Sequence, residues 1–308
     1  MRGCDIVHSK KERRGTFSLK KNWLGYALTA PAVIVIILVA VYPMIYGVSF
    51  SFFEYDLLDG VDAVRPFAGL ANYFSIFGDN AFRQALGNTV VWTVTNVAVQ
   101  IVLATVIALV LNEVTRGRGF FRTSVLVPWA IPSVIAVLAF RFLYDANVGV
   151  FSTILMNLGI TDAPFSFLGN VSTAMPSVIL QSIWKGVPFV LIFILAALQS
   201  IPLDIYESAH LDGATGWQKF WYITLPSIKD TVGIAAILTT IGTINNFNTI
   251  WLSTQGGPLG STEILYTLAY RRAFVEYNFG LASAVSTVIF IIIFILTLIY
   301  IHFTETKE

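Results

Sequence analysis

The chain is 308 residues long, 56% apolar and only 12% charged, with a mean hydropathy of +0.74. A soluble domain carries about a quarter of its residues charged, so half that fraction excludes a disordered chain and argues against a water-soluble enzyme. Nineteen Lys+Arg against 18 Asp+Glu leave a net charge of +1, which offers nucleic acid no basic surface. The single cysteine, Cys4, has no disulfide partner within the chain and forms no metal-ligand pattern with the three histidines. The composition is that of an integral membrane protein.

Six charge-poor runs set the elements, because a helix crossing a ~30 Å hydrocarbon core needs about 20 apolar residues at about 1.5 Å each. Residues 23–53 carry no charge, and neither do residues 84–112. The third run covers 123–140 and is closed by Arg141. The fourth covers 176–198, interrupted only by Lys185, the fifth 231–253 and the sixth 281–303. The expected fold is all-α, a polytopic membrane protein of six transmembrane helices. The basic stretch 10–21 fits the first part of a signal peptide, but the apolar run behind it is too long and no small-x-small site follows, so a retained first span is expected.

Counting Lys and Arg sets the orientation. The tail 1–22, the segment with Arg116, Arg118 and Arg122, the loop with Lys219 and Lys229, and Lys307 place thirteen on one side. Arg65, Arg83, Arg271 and Arg272 make four on the other. The positive-inside rule then puts both termini in the cytoplasm, with residues 1–22 a cytoplasmic basic tail and 23–306 one transmembrane domain. Glu54, Asp56, Asp59, Asp62 and Asp79 all fall in the first external loop, in weak agreement.

What the spans lack narrows the function. No Asp, Glu or His lies near the middle of any run, which disfavours a proton-driven carrier, although sodium coupling through backbone carbonyls stays open. No Gly-Lys dipeptide occurs, so there is no phosphate-binding P-loop, and any ATP must be bound by another chain. No run or loop gathers His, Asp or Cys at ligand or nucleophile spacing, so a membrane enzyme is unsupported. Arg141 stands four residues before Asp145, the spacing of a helical ion pair. Arg141 and Lys185 are both expected to snorkel or pair near a helix end, and for Lys185, which has no such neighbour, a wet cavity is the alternative.

The segment 200–230 is unusual for a loop between membrane helices. Ser200 and Pro202 suit a helix start. Ile205, Tyr206, Ala209 and Leu211 give an amphipathic turn or two, and Gly213 offers the left-handed conformation that ends a helix. A second short helix is expected over 217–223, stopped by Pro226. Two short helices about a glycine make a knob that buries little of its own apolar surface, so it should dock on lipid headgroups or on another protein.

At this point the sequence resembles the inner-membrane permease subunits of binding-protein-dependent ABC importers. Their cytoplasmic signature is E-A-A, three residues, G, nine residues, I-x-L-P. This chain has Glu207-Ser208-Ala209, then Gly213, then Ile223-Thr224-Leu225-Pro226, with both gaps matching and serine as the sole departure. Asp212, Ala214 and Phe220 match the longer pattern of the sugar-permease branch, the maltose-type and glycerol-phosphate-type permeases. Phe67-Ala68-Gly69-Leu70-Ala71-Asn72-Tyr73 resembles its F-x-G-L-x-N-Y element, followed by Asn88-Thr89. Thr254, Gly256-Gly257-Pro258 and Ser261-Thr262 resemble T-x-G-G-P…T, and Ala273-Phe274 with Ala282-Ser283-Ala284 continue the match into the last run.

The resemblance implies a permease half of an ATP-driven importer that performs no chemistry itself. It implies a second permease, two ATPase subunits that carry ATP and Mg, and an external solute-binding protein. Glu207, Ser208, Ala209, Asp212, Gly213, Ile223, Leu225 and Pro226 would then form the ATPase-coupling site, with Glu207 paired to a basic group and Pro226 making a rigid return. A short docked helix transmits rigid-body motion where a loose loop does not. For the substrate path, Asn245, Asn246 and Asn248 crowd the fifth run beside Phe247 and Trp251, and the fourth offers Gln181, Trp184 and Lys185. Amides and aromatic faces suit a sugar, and amides serve equally as polar contacts between helices. A polyol or glycerol-phosphate permease is the variant reading, which Lys185 or Arg141 facing a cavity would favour. A stand-alone secondary carrier is the rival, and it would need no partner at Glu207.

Overall fold

The computed structural model describes residues 23–60, 65–113 and 116–305. The basic tail 1–22, Asp62 and Lys307 lie outside the described residues. The chain divides into two compact units between Gly47 and Val48. The first holds α1 (Trp23–Ile36), a π turn (Ile37–Val41) and most of α2 (Tyr42–Phe50). The wide turn has a local cause. Pro43 has no N–H, and its ring presses on the carbonyl one turn back. A π turn, closed here by the Tyr42 N–H on the Ile37 carbonyl, moves that carbonyl aside.

The second unit continues through α3 (Ala71–Gly78), α4 (Asn80–Glu113), α5 (Arg118–Ala130), α6 (Ser133–Leu143), α7 (Val150–Asn157) and α8 (Val171–Gln199). Then follow α9 (Leu203–Leu211), α10 (Gly216–Lys219), a second π turn (Phe220–Thr224), α11 (Leu225–Ile244), α12 (Phe247–Thr254), α13 (Leu265–Phe274) and α14 (Phe279–Glu305). Among the described residues the only extended pairings are two isolated bridges. Among the described residues five stretches are long and apolar enough to cross a membrane: Tyr26–Phe50, Asn80–Glu113, Val171–Gln199, Gly216–Thr254 and Phe279–His302.

The sixth is bent. The run expected as one helix over 123–140 is split into α5 and α6, which meet at 91°. Pro132 cannot continue a helical ladder, and it holds Ile131 extended at φ −70, ψ 130. The expected Arg141–Asp145 pair does not form, because α6 ends at Leu143 and the two residues no longer share a helix face. Asp145 instead accepts the Asn147 and Val148 N–H groups at 2.9 and 3.0 Å, which hold its carboxyl below the usual range.

The core lies between α4 and α8, where Trp92, Ala104 and Ala108 pack against Val178, Ile183, Val187, Leu191 and Ile194. Small residues on α4 let the helices approach closely, the usual solution where lipid competes with side-chain burial. A second cluster joins Ile76 of α3 and Phe82 and Ala85 of α4 to Leu265 and Leu268 of α13 and Ala284 and Val285 of α14.

The F-x-G-L-x-N-Y element closes one end of this unit. Phe67 bridges Phe53, and the Ala68 N–H donates to the Phe52 carbonyl at 2.8 Å. The buried Asn72 amide donates to both Ser51 and Phe53 carbonyls at 2.9 Å, and the Tyr73 hydroxyl meets the Ser51 hydroxyl at 2.6 Å. The start of α14 then seals the same segment, with the Phe279 and Gly280 N–H groups on the Tyr55 carbonyl. Gly280 is required by the close approach, since a Cβ there would lie 2.6 Å from the Phe53 carbonyl oxygen. Asn72→Ala leaves two carbonyls without their donor, and the expected loss is roughly 1–3 kcal/mol. It should appear as a lowered unfolding temperature of the detergent-solubilised protein, and an unchanged temperature would contradict this role.

Candidate functional site

Two helix breaks face each other inside the bundle. The fifth run, expected as one helix over 231–253, stops at Ile244 and restarts at Phe247. A break frees carbonyls on one side and N–H groups on the other, and lipid supplies no partner for either. Side chains do so here. Trp92, fully buried on α4, donates its indole N–H to the Thr243 carbonyl at 2.9 Å. The Asn246 side chain accepts the Thr249 N–H at 3.3 Å and so caps α12.

The break between α5 and α6 is treated the same way. Lys185 of α8 donates to the Ile131 carbonyl, and its Nζ lies 3.5 Å from both the Pro128 and Trp129 carbonyl oxygens. A cation over last-turn carbonyls also meets the negative end of the helix dipole. Arg141 of α6 reaches the last turn of α12, where its Nη1 donates to the Leu252 carbonyl at 3.3 Å. The ends of α5, α11 and α12 are thus each met by a side chain from a neighbouring helix.

Between the breaks lies a cavity of about 270 Å³. Gln100 of α4, Trp129, Ser133, Ser182, Lys185, Thr239, Thr243, Asn246 and Thr249 supply its polar and aromatic lining, with Gly186 and Gly242. The lining holds amides, hydroxyls and one ammonium, and no carboxylate. The Thr239 hydroxyl is buried and has no partner among the described residues. Gly186 admits the Gln100 amide, since a Cβ there would fall 2.3 Å from Gln100 Oε1. Phe247 stacks on Trp251 at 5.5 Å, and both rings pack on Tyr270 of α13 at 4.7 Å.

Of the substrate-path candidates, the structure brings Lys185 and Asn246 together at this cavity. Gln181 is buried elsewhere, accepting from the Ser253 hydroxyl at 3.3 Å. Trp184 lays its ring against Phe140 at 5.2 Å, and Asn245 and Asn248 are exposed. Sequence reasoning missed Gln100, Ser182, Thr239 and Thr249. A signal existed for the first: Asn96 and Gln100 are amides four residues apart in an otherwise apolar run, and Gln100 donates to Asn96 at 3.2 Å. A search for ionisable groups passes over amides.

The T-x-G-G-P…T element follows α12 and is fastened to α4. The Asn88 amide donates to the Gly260 and Glu263 carbonyls at 2.9 Å, and Gln84 donates to the Leu259 carbonyl at 3.2 Å. Thr254 and Thr262 share a 2.6 Å hydrogen bond, and Arg271 pairs with the buried Glu263. Burial pushes the Glu263 carboxyl up, with Thr267 and the Arg271 guanidinium pulling the other way. Leu259, at the tip, is 87% exposed.

At the opposite end of α11 stands the second candidate site. α9 starts after Pro202 and ends just before Gly213, whose φ of +78 strains any side chain. Thr215 and Gln218 form a capping box that opens α10. The expected stop at Pro226 is absent: the chain runs on through the π turn into α11, because the Leu225 N–H bonds the Phe220 carbonyl five residues back and gives Pro226 room. Glu207 and Ser208 are exposed on α9, while Ala209 is half-buried. Asp212, Gly213 and Ile223 line a hollow of about 290 Å³ with Lys219 and Tyr222. Leu225 is half-buried and Pro226 exposed. Leu203, Leu211, Trp217 and Tyr222 present bare apolar surface around them, Leu211 at 88% exposure.

Comparison with known proteins decides the family. Residues 100–305 match the family described as binding-protein-dependent transport system inner membrane component. The chain belongs to this family. It is 35% identical over 290 residues to a probable ABC transporter permease protein of Brucella suis biovar 1, covering 94% of this chain and 99% of that one. It is 33% identical over 283 residues to the trehalose/maltose transport system permease protein MalF of Thermococcus litoralis, covering 90% and 92%. Its structure superposes on a chain of a bacterial ABC transporter involved in the import of the acidic polysaccharide alginate, with a TM-score of 0.77, 26% identity and coverage of 94% and 97%. The helix breaks therefore belong to a multi-pass permease subunit.

Lys185→Met keeps the stem and removes the donor from the α5 carbonyls. The unfolding temperature in detergent is expected to drop, with Lys185→Arg restoring part of it, and equal temperatures for all three would contradict the capping role.

Proposed function

We propose that this permease works in an ATP-driven importer for a carbohydrate, with both termini in the cytoplasm. Its partners are a second permease, two ATPase subunits that bind ATP and Mg²⁺, and an extracytoplasmic solute-binding protein. The observation that carries the reading is a division of labour within one chain. An uncharged-acceptor cavity lies between two helix breaks, and an exposed apolar knob lies at the other end of α11. Hydroxyl-rich solutes are bound by amides, hydroxyls and ring faces, and Gln100, Ser182, Thr239, Asn246 and Thr249 with Trp129 provide that set. The names of the trehalose/maltose permease and of the alginate importer agree with it, and other relatives are named for galactooligosaccharides and for sn-glycerol-3-phosphate.

The glycerol-phosphate reading keeps one of the two cations it called for at the cavity. Lys185 lines the cavity, and its ammonium donates to the Ile131 carbonyl, with the Pro128 and Trp129 carbonyl oxygens 3.5 Å away. Arg141 is turned to α12.

In this reading Glu207, Ser208, Ala209, Asp212, Gly213, Ile223, Leu225 and Pro226 form the coupling site. Glu207 meets a basic group of the ATPase, and the exposed Leu203 and Leu211 bury apolar surface against it. ATP-driven approach of the ATPase subunits then tilts the α9 knob, and the knob carries α11 and the break at its far end. Solute crosses by alternating access.

Two outcomes are expected with all subunits co-expressed. Glu207→Ala removes a charge-assisted contact and weakens ATPase co-purification about tenfold or more. Asn246→Ala lowers uptake of labelled maltose or trehalose into proteoliposomes well below that given by Asn248→Ala. Uptake by this chain alone, without an ATPase, would replace the importer reading with a secondary carrier.

A further inference from the structure

The coupling reading leaves open how a nine-residue exposed helix moves the bundle behind it. Tyr206 stands on α9 next to Glu207, yet its ring packs against the main apolar core while Leu203, Glu207 and Leu211 face outward. Its hydroxyl shares a 2.8 Å hydrogen bond with the Thr224 hydroxyl. Thr224 is buried, and its own hydroxyl donates to the Lys219 carbonyl at 3.3 Å. Tyr206 therefore donates to Thr224, and Thr224 to the backbone at the end of α10.

Thr224 is also the last residue of the π turn. In that turn the ladder passes from i→i−4 to i→i−5 bonds, and such turns are softer than the helix on either side. Pro226 removes one further N–H just beyond it. Without a brace, motion delivered to α9 and α10 would be absorbed by bending at Phe220–Thr224 before reaching α11. The Tyr206–Thr224 bond spans this weak point from the side.

Resting on the coupling reading above, we propose that the Tyr206–Thr224 hydroxyl pair is the brace that makes α9 and α11 move as one body. Tyr206 and Thr224 are thus positioning residues for coupling. The ATPase contact belongs to Glu207 and its neighbours.

The test is a distance measurement in the assembled importer, with Cys4→Ser removing the single native cysteine. Spin labels at Asp204→Cys on α9 and Lys229→Cys on α11, both exposed positions, report the separation with and without ATP–Mg²⁺ and vanadate. In the otherwise unaltered protein that distance should stay constant on ATP addition. In Tyr206→Phe, and in the near-isosteric Thr224→Val, it should shift and broaden on ATP addition. Thr224→Ser, which keeps the hydroxyl, should restore the constant distance. The double variant Tyr206→Phe/Thr224→Val should be no worse than either single one, because both remove the same bond.

A distance that changes on ATP in the unaltered protein, or variants that behave like it, would overturn the proposal. Additive effects in the double variant would overturn it as well. The coupling reading is separated by Glu207→Ala. If that variant keeps its ATPase, the reading itself is wrong and the brace has nothing to transmit. If it loses the ATPase while Tyr206→Phe leaves the distance unchanged, only the brace is wrong.

Discussion

A helix that breaks inside hydrocarbon must find partners for the backbone groups it releases, and the centre of this protein is arranged around that requirement. Lys185 serves the end of α5, Trp92 the end of α11, Asn246 the start of α12 and Arg141 the end of α12. Of these four, Lys185 and Asn246 also line the cavity between the breaks, beside Gln100, Ser182, Thr239 and Thr249. The cavity inherits amides and hydroxyls without any carboxylate, which fits a neutral, hydroxyl-rich solute better than a proton or a metal ion.

The same constraint gives proline a second use. Pro43 and Pro226 each follow a π turn, and in both the widened turn removes the carbonyl that the ring would strike. At Pro132 no wide turn intervenes, Ile131 goes extended and the helix bends through 91°. One residue type yields continuity or a sharp corner according to the turn before it. In the proposed mechanism the continuous case matters most, because the run from α10 into α11 joins the knob at one end to the helix break at the other.

Much of this was legible in the sequence, and the failures share a cause. Charge-free runs located every apolar stretch, since transfer of charge into lipid is costly whatever the local geometry. That test is blind to bends, so the splits at Pro132 and at Asn245–Asn246 were read as straight helices. Spacing alone gives the three asparagines as one crowded group, for solute or for contacts between helices, whereas Asn246 caps α12 at the cavity edge and Asn245 and Asn248 are exposed. The Arg141–Asp145 pair failed because spacing predicts contact only where both residues share a helix. The spacing of Glu207, Gly213 and Pro226 was informative because left-handed geometry at Gly213 is a backbone demand visible in residue type.

The central claim is that the α9 knob, at one end of α11, is the surface that docks on an ATPase subunit. Leu211 on the α9 knob and Leu259 at the tip of the Gly256–Gly260 turn are almost equally exposed, at 88% and 87%. A photo-crosslinking residue placed at each position in the assembled importer tests the claim directly. The account predicts that position 211 crosslinks to the ATPase subunit and that position 259 does not. Crosslinking of both positions to the same partner, or of position 259 to the ATPase, would contradict it.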